Sequence, residues 1–248
     1  LERKLANITE LSSDNDPRFE VDSQIEKMSE IHRFSKSEMD KLKILYQGTS
    51  KGEMLKTFRD IRTRLYSGHE GKNFTCMITS VAPVGGCSHV TKNLAAAIAL
   101  DKTRTALIVD ANFYSPSINE IVVTDTDAGL TDYLENTKLG VGSIVYASGI
   151  PRVRAVPAGD NADGAAERLS SKRMTAFMDE LKQRYSDRYI LLDAPSVGEY
   201  AAEARMLASQ CDFVVLVVPS GKVTVEQVQA SISNLGEDKI ALLVFNQV

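Results

Sequence analysis

The residues best suited to chemistry stand together after an apolar run, in Ser80-Val-Ala-Pro-Val-Gly85-Gly86-Cys87-Ser88-His89, and an Ala-rich stretch beginning Asn93-Leu-Ala-Ala-Ala follows. A strand, a glycine-bearing turn and a helix make the layout of a phosphate loop, where backbone N–H groups and a helix N-terminus gather an anion. A working loop reads G-x-x-x-x-G-K-[ST]; its lysine reaches the outer phosphates and its hydroxyl binds magnesium. Here Gly86 and Ser88 stand where the last glycine and the hydroxyl belong, and the lysine position holds Cys87. The plain alternative is a glycine turn before a helix, with no ligand. Two aspartates, Asp110 and Asp193, directly end further apolar runs. A P-loop protein holds magnesium or its waters with an Asp placed in this way; capping the following turn is the commoner role. Cys87 at a helix N-terminus would have a lowered thiol pKa. Cys87 and His89 lack a second ligand pair at zinc-like spacing.

These residues need elements to position them. Near-continuous apolar runs begin at Phe74, Thr105, Val153, Tyr189, Phe213 and Ile240, and such runs mark strands covered on both faces. Helical stretches at Thr91–Leu100, Ser171–Tyr185, Tyr200–Ser209 and Thr224–Leu235 separate most of them. The alternation predicts an α/β fold with a mostly parallel, doubly wound sheet of about seven strands, P-loop NTPase-like in layout. Ligands then bind beyond the carboxyl ends of the strands. Residues 1–50 are expected to form a polar, helical arm, with one short helix around Ile25, Met28 and Ile31 and another around Met39, Leu42 and Leu45. Residues 51–248 are expected to be the α/β domain, entered through a helix with Met54, Phe58, Ile61 and Leu65 on one face and Arg59, Arg62 and Arg64 on the others.

Composition narrows the function. With 248 residues and a net charge of −4, the chain can bury a full core and has no global field pulling it toward nucleic acid. Three cysteines fit a reducing compartment rather than a disulfide framework. No apolar stretch reaches the ~18 residues a membrane span needs, and the first residues do not read as a signal peptide. These features suggest a cytoplasmic protein.

Six segments occur in order: Arg59-Asp-Ile-Arg62, the block from Ser80 to Ala95, Leu107-Ile-Val-Asp110, Gly129-Leu-Thr-Asp-Tyr-Leu, Val156-Pro-Ala-Gly159 and Leu191-Leu-Asp193-Ala-Pro195. This series resembles the cytoplasmic domain of the bacterial tyrosine kinases that control capsule and exopolysaccharide export, within the deviant P-loop group of partition and division-site ATPases. The resemblance implies ATP or ADP with magnesium as cofactors, bound by Gly85, Gly86, Cys87, Ser88 and His89. Ser88, Asp110 and Asp193 would be the magnesium set, the two aspartates would be the catalytic carboxylates, and Asn246 would read adenine. Arg59 and Arg62 would make oligomer or partner contacts. A membrane-bound polysaccharide chain-length or export protein is the implied partner, at the inner face of the membrane, with self-assembly and without nucleic acid.

The departures cluster at the chemistry. Cys87 replaces the lysine, Val84 a glycine whose position is strained for valine if it needs φ > 0, and Asn112 a second aspartate; the eight tyrosines are scattered, where the family is expected to have a C-terminal cluster. Val84 is expected to give the loop another shape. Lys92 lies about 140° around the helix from Cys87 and is expected to point away from the loop. Two functions follow. One is a degenerate kinase-like module that regulates polysaccharide synthesis without turnover. The other is an active ATP-dependent tyrosine kinase or ATPase with an unusual loop. A partition-type ATPase acting on DNA would require a basic stripe that is missing.

Overall fold

The computed structural model describes residues 33–68, 73–184 and 188–247. Seven strands form one sheet: β1 (Thr75–Ser80), β2 (Thr105–Asp110), β3 (Tyr146–Ala147), β4 (Val153–Val156), β5 (Arg188–Asp193), β6 (Phe213–Pro219) and β7 (Ile240–Asn246). Their order is β3-β4-β2-β5-β1-β6-β7, and every neighbouring pair is parallel except β3–β4. The expected mostly parallel α/β sheet is therefore present. All six residues of β1 and of β2 are buried, which accounts for runs without polar alternation. The two-residue β3 is too short to leave a periodic signal.

The helices are α1 (Lys36–Lys41), α2 (Gly52–Ser67), α3 (Cys87–Ala99), α4 (Leu130–Glu135), α5 (Ala165–Leu169), α6 (Lys172–Arg184), α7 (Ala201–Gln210) and α8 (Val225–Leu235). One core layer contains α3, Phe58, Ile61 and Leu65 of α2, and one face of the sheet. The other contains α6, α7 and the opposite face.

The helix expected around Met39, Leu42 and Leu45 ends early, at Lys41. Ser35 and Glu38 close a capping box at its start. Beyond it, the chain extends so that Ile44 and Leu45 bury themselves against α3, and Asn93 fixes the crossing: its Oδ1 accepts from Leu45 N at 2.9 Å and its Nδ2 donates to Lys43 O at 3.0 Å. The helix expected around Ile25, Met28 and Ile31 lies outside the described residues.

Two of the family-like segments meet backbone to backbone. Leu130 N donates to Pro157 O and Thr131 N to Ala158 O, both at 2.8 Å. A Cβ on Gly129 would stand 2.2 Å from Gly159 N, and Gly159 itself has φ +90°. The two glycines are thus a packing requirement of this junction.

Candidate functional site

Beyond the carboxyl ends of β1 and β5 lies a cavity of about 440 Å³, lined by the loop Pro83–His89 and by Lys92, Asn112, Tyr114, Ser117, Glu120, Ser196, Glu199 and Tyr200, among others. The loop keeps its turn. Ser80 Oγ donates to Ala82 O at 2.8 Å, and a Cβ on Gly85 would collide with Ser80 Cβ at 2.7 Å. Val84 retains the left-handed backbone, with φ +57°, and is 83% exposed. The expectation that valine would reshape the loop is therefore corrected: the strain of a β-branched residue at positive φ is kept, because Gly85 and Gly86 on its C-terminal side fix the turn. Gly86, at φ +84°, is the N-cap of α3.

Cys87 turns inward. Its sulfur lies 2.9 Å from Ile78 O and 3.0 Å from Asp193 Oδ1. Burial, then the charge of Asp193, pushes its thiol well above the ordinary range. This corrects the expectation of a lowered pKa: the helix N-terminus is outweighed by desolvation and a neighbouring carboxylate. The thiol donates within the fold, to Ile78 O.

The two aspartates are register partners on β2 and β5, and both are fully buried. Their environments differ. Asp110 accepts backbone N–H bonds from Asn112 at 3.1 Å, Ser117 at 2.9 Å and Ile118 at 3.0 Å, so both of its oxygens are committed to its own loop. Burial, then Asp193, nevertheless raises its pKa to about 7. Asp193 Oδ1 accepts from Thr91 at 3.2 Å as well as facing Cys87, while Oδ2 has no hydrogen-bond partner. Burial raises its pKa too, opposed first by the Ser88 hydroxyl, which is close to the carboxylate without forming a well-aligned bond. Ser88 and the free Asp193 Oδ2 are hard oxygens that fit magnesium; the committed Asp110 does not extend that set.

Of the other expected site residues, Gly85, Gly86, Ser88 and His89 line the cavity beside Cys87. Asn246 does not line it; its Nδ2 donates to Gly85 O at 3.0 Å and ties β7 to the loop. His89 contacts Asn93, and burial, then Lys92, lowers its pKa. Arg59 is exposed on α2. Arg62 is committed internally: Nη1 donates to Ala97 O at 2.7 Å and the guanidinium lies 5.9 Å from the Tyr66 ring centroid.

Lys92 is a correction. It lines the cavity and pairs with Glu120. Helical side chains tilt toward the helix N-terminus, which azimuth alone does not describe. A four-carbon stem can therefore climb back along α3 and bring its ammonium to the loop. The sequence reading also missed the cavity mouth, where Tyr114 and Tyr200 stack with centroids 3.8 Å apart and Tyr114 Oη donates to Glu203 at 2.8 Å. The two tyrosines are 86 positions apart in sequence, and no local spacing brings them together.

A strand-loop-helix anion site above an Asp-ended strand, in this strand order, is the site plan of a P-loop protein. No family model matches the chain. Tyrosine-protein kinase CpsD of Streptococcus agalactiae is 29% identical over 195 residues, covering 77% of this chain and 82% of that protein. Tyrosine-protein kinase YwqD of Bacillus subtilis is 29% identical over 187 residues, covering 75% and 77%. Its homologues are bacterial tyrosine kinases. Solved structures agree on the fold. The chimerical protein CapA2B2 superposes with a TM-score of 0.72 at 21% identity, over 93% of this chain and 99% of the other. The septum site-determining protein MinD of Pyrococcus horikoshii, complexed with Mg-ADP, superposes at 0.56 with 19% identity, over 69% and 68%. The fold is thus P-loop NTPase-like, and Cys87, the first residue of α3, is buried with its sulfur on Ile78 O. Among the described residues no helix is long and apolar enough to cross a membrane.

Proposed function

We propose that this chain is a regulatory module of capsule or exopolysaccharide synthesis that has the tyrosine-kinase frame without phosphoryl transfer. It would act by docking on a membrane-bound chain-length or export protein at the cytoplasmic face. The observation that carries the reading is Cys87, whose sulfur lies 2.9 Å from Ile78 O beneath the loop. A kinase of this group needs a fixed positive charge aimed at the outer phosphates. A thiol raised by burial supplies none. When bound, magnesium would neutralise phosphate charge; Ser88 and Asp193 are the residues fitted to hold it. That pair also supports the second reading, an active kinase with an unusual loop.

Restoring the loop tests the proposal. In Cys87→Lys with Val84→Gly, affinity for ATP with magnesium should rise by roughly 100-fold over the parent, the scale of one aimed donor in a desolvated site. Calorimetric titration of both proteins measures this. Equal and tight binding by the parent would show that the thiol loop is competent as it stands.

A further inference from the structure

A second cavity, of about 270 Å³, lies at the end of α3 away from the loop. Its apolar lining includes Met39, Leu45, Ala96, Leu100 and Ile150. Three cations also line it, Arg33, Lys102 and Arg152, and among the described residues no Asp or Glu does. Like charges gathered at one cavity repel one another. The repulsion reaches Arg152, whose pKa is lowered first by burial and then by Arg33. Asp101 is the carboxylate that opposes this shift, but its Oδ1 accepts from Thr103 N at 3.0 Å and Thr103 Oγ1 at 2.8 Å, within its own turn.

Arg152 stands there against local preference. Val153 N donates to Ile150 O at 3.2 Å across Pro151 and Arg152, and Arg152 has φ +58°. Proline second and a positive φ third is the pattern of a type II turn, whose third position normally goes to glycine. An arginine in that position is strained. Its Nη2 donates to Ala99 O, and its buried Nε has no partner. The guanidinium is thus oriented by the end of α3, and no carboxylate among the described residues completes it.

The 32 residues before Arg33 lie outside the described residues, and they join the domain at a residue that lines this cavity. They carry eight Asp or Glu against four Lys or Arg. Within them, Phe19-Glu20-Val21-Asp22 sets two carboxylates beside two apolar residues, the complement of an apolar lining with cations. The tether from Asp22 to Arg33 reaches up to roughly 35 Å when extended. A tether of that kind gives an effective concentration of about a millimolar, so a weak contact suffices.

We propose that this cavity is the docking site of the chain's own acidic segment, residues 19–22, whose carboxylates pair with Arg152 and Lys102. The inference is independent of whether the loop transfers phosphate, because the cavity lies at the other end of α3.

A fluorescent peptide of residues 15–27, added to the full chain and followed by anisotropy, tests this. In the parent the tethered copy competes with the peptide. Glu20→Ala with Asp22→Ala removes that competitor and alters no residue of the cavity. The peptide should then bind about 10-fold more tightly, the ratio of a millimolar effective concentration to a peptide Kd of about 0.1 mM. Adding Lys102→Ala, at an exposed position, should cancel part of the gain. Adding Arg152→Gly, which suits the turn, should cancel the rest. A peptide with Gln and Asn in place of Glu20 and Asp22 should bind neither protein. Equal affinity for the parent and the Glu20→Ala, Asp22→Ala chain overturns the proposal, as does binding of the neutral peptide or a gain untouched by Lys102→Ala and Arg152→Gly. A dimer in sedimentation that Glu20→Ala with Asp22→Ala dissolves also overturns it, because the segment would then occupy a second copy.

Discussion

Two glycine-bearing segments of this chain have different relations to their surroundings. At the Gly129–Gly159 junction, backbone lies on backbone, and an added Cβ at Gly129 would meet Gly159 N at 2.2 Å. At the phosphate loop, the residue carrying the left-handed backbone is Val84, 83% exposed and open to solvent. The junction is closed by backbone, whereas at Val84 the loop opens to solvent. A side chain is accommodated at position 84 at a cost in strain, whereas none fits at Gly129. A substitution at Val84 is therefore compatible with an intact frame.

Breaking the junction should have the largest effect. Gly129→Ala forces α4 away from the segment after β4, and the cost should be on the order of 4 kcal/mol, at the severe end for one methyl group because the obstacle is backbone. Urea unfolding measures it, and a loss under 1 kcal/mol would mean that the junction yields easily.

The buried aspartates give the next effect. Asp110 is raised from 3.8 to about 7 in the folded chain, first by burial and then by Asp193. A folded pKa above the unfolded one gives stability that is full below about pH 4 and is lost as pH rises through about 7. Conformational stability should therefore fall across that window. Asp193→Asn removes the neighbouring charge, leaves burial in place and offers an amide where Oδ2 is unpartnered. It should flatten the fall and raise the melting temperature at pH 8 by roughly 3–6 °C. Thermal melts between pH 5 and 8 provide the check; parallel curves for parent and variant would contradict the coupling.

Much of this frame was legible in the sequence. The six longer strands announced themselves as unbroken apolar runs, because both of their faces are covered for most of the sheet. The loop was legible from glycine spacing and the two Asp-ended runs. Three features were not. Leu45 looked helical because its spacing from Met39 and Leu42 is near a helical repeat, yet Asn93 captures its N–H and holds the chain extended. Lys92 was misplaced because periodicity gives azimuth alone, and side-chain tilt along the axis decides reach. The Tyr114–Tyr200 stack depends on adjacency of two loops that only the sheet order brings together.

The smallest effect belongs to the loop itself. Val84→Gly relieves a β-branched residue at φ +57° but adds freedom to the unfolded chain. The net gain should be about 1 kcal/mol, or roughly 2–4 °C in melting temperature. A destabilised variant would place Val84 in contacts that its exposure denies.

In the function proposed above, the frame persists without phosphoryl transfer. Incubation of the purified chain with γ-labelled ATP and magnesium, followed by phosphotyrosine detection and measurement of released phosphate, tests it most directly. No tyrosine labelling is expected, with phosphate release at the background rate, because the buried Cys87 thiol presents no positive charge to the cavity. Labelling that is abolished by Ser88→Ala or Asp193→Asn would contradict it and make this chain an active kinase.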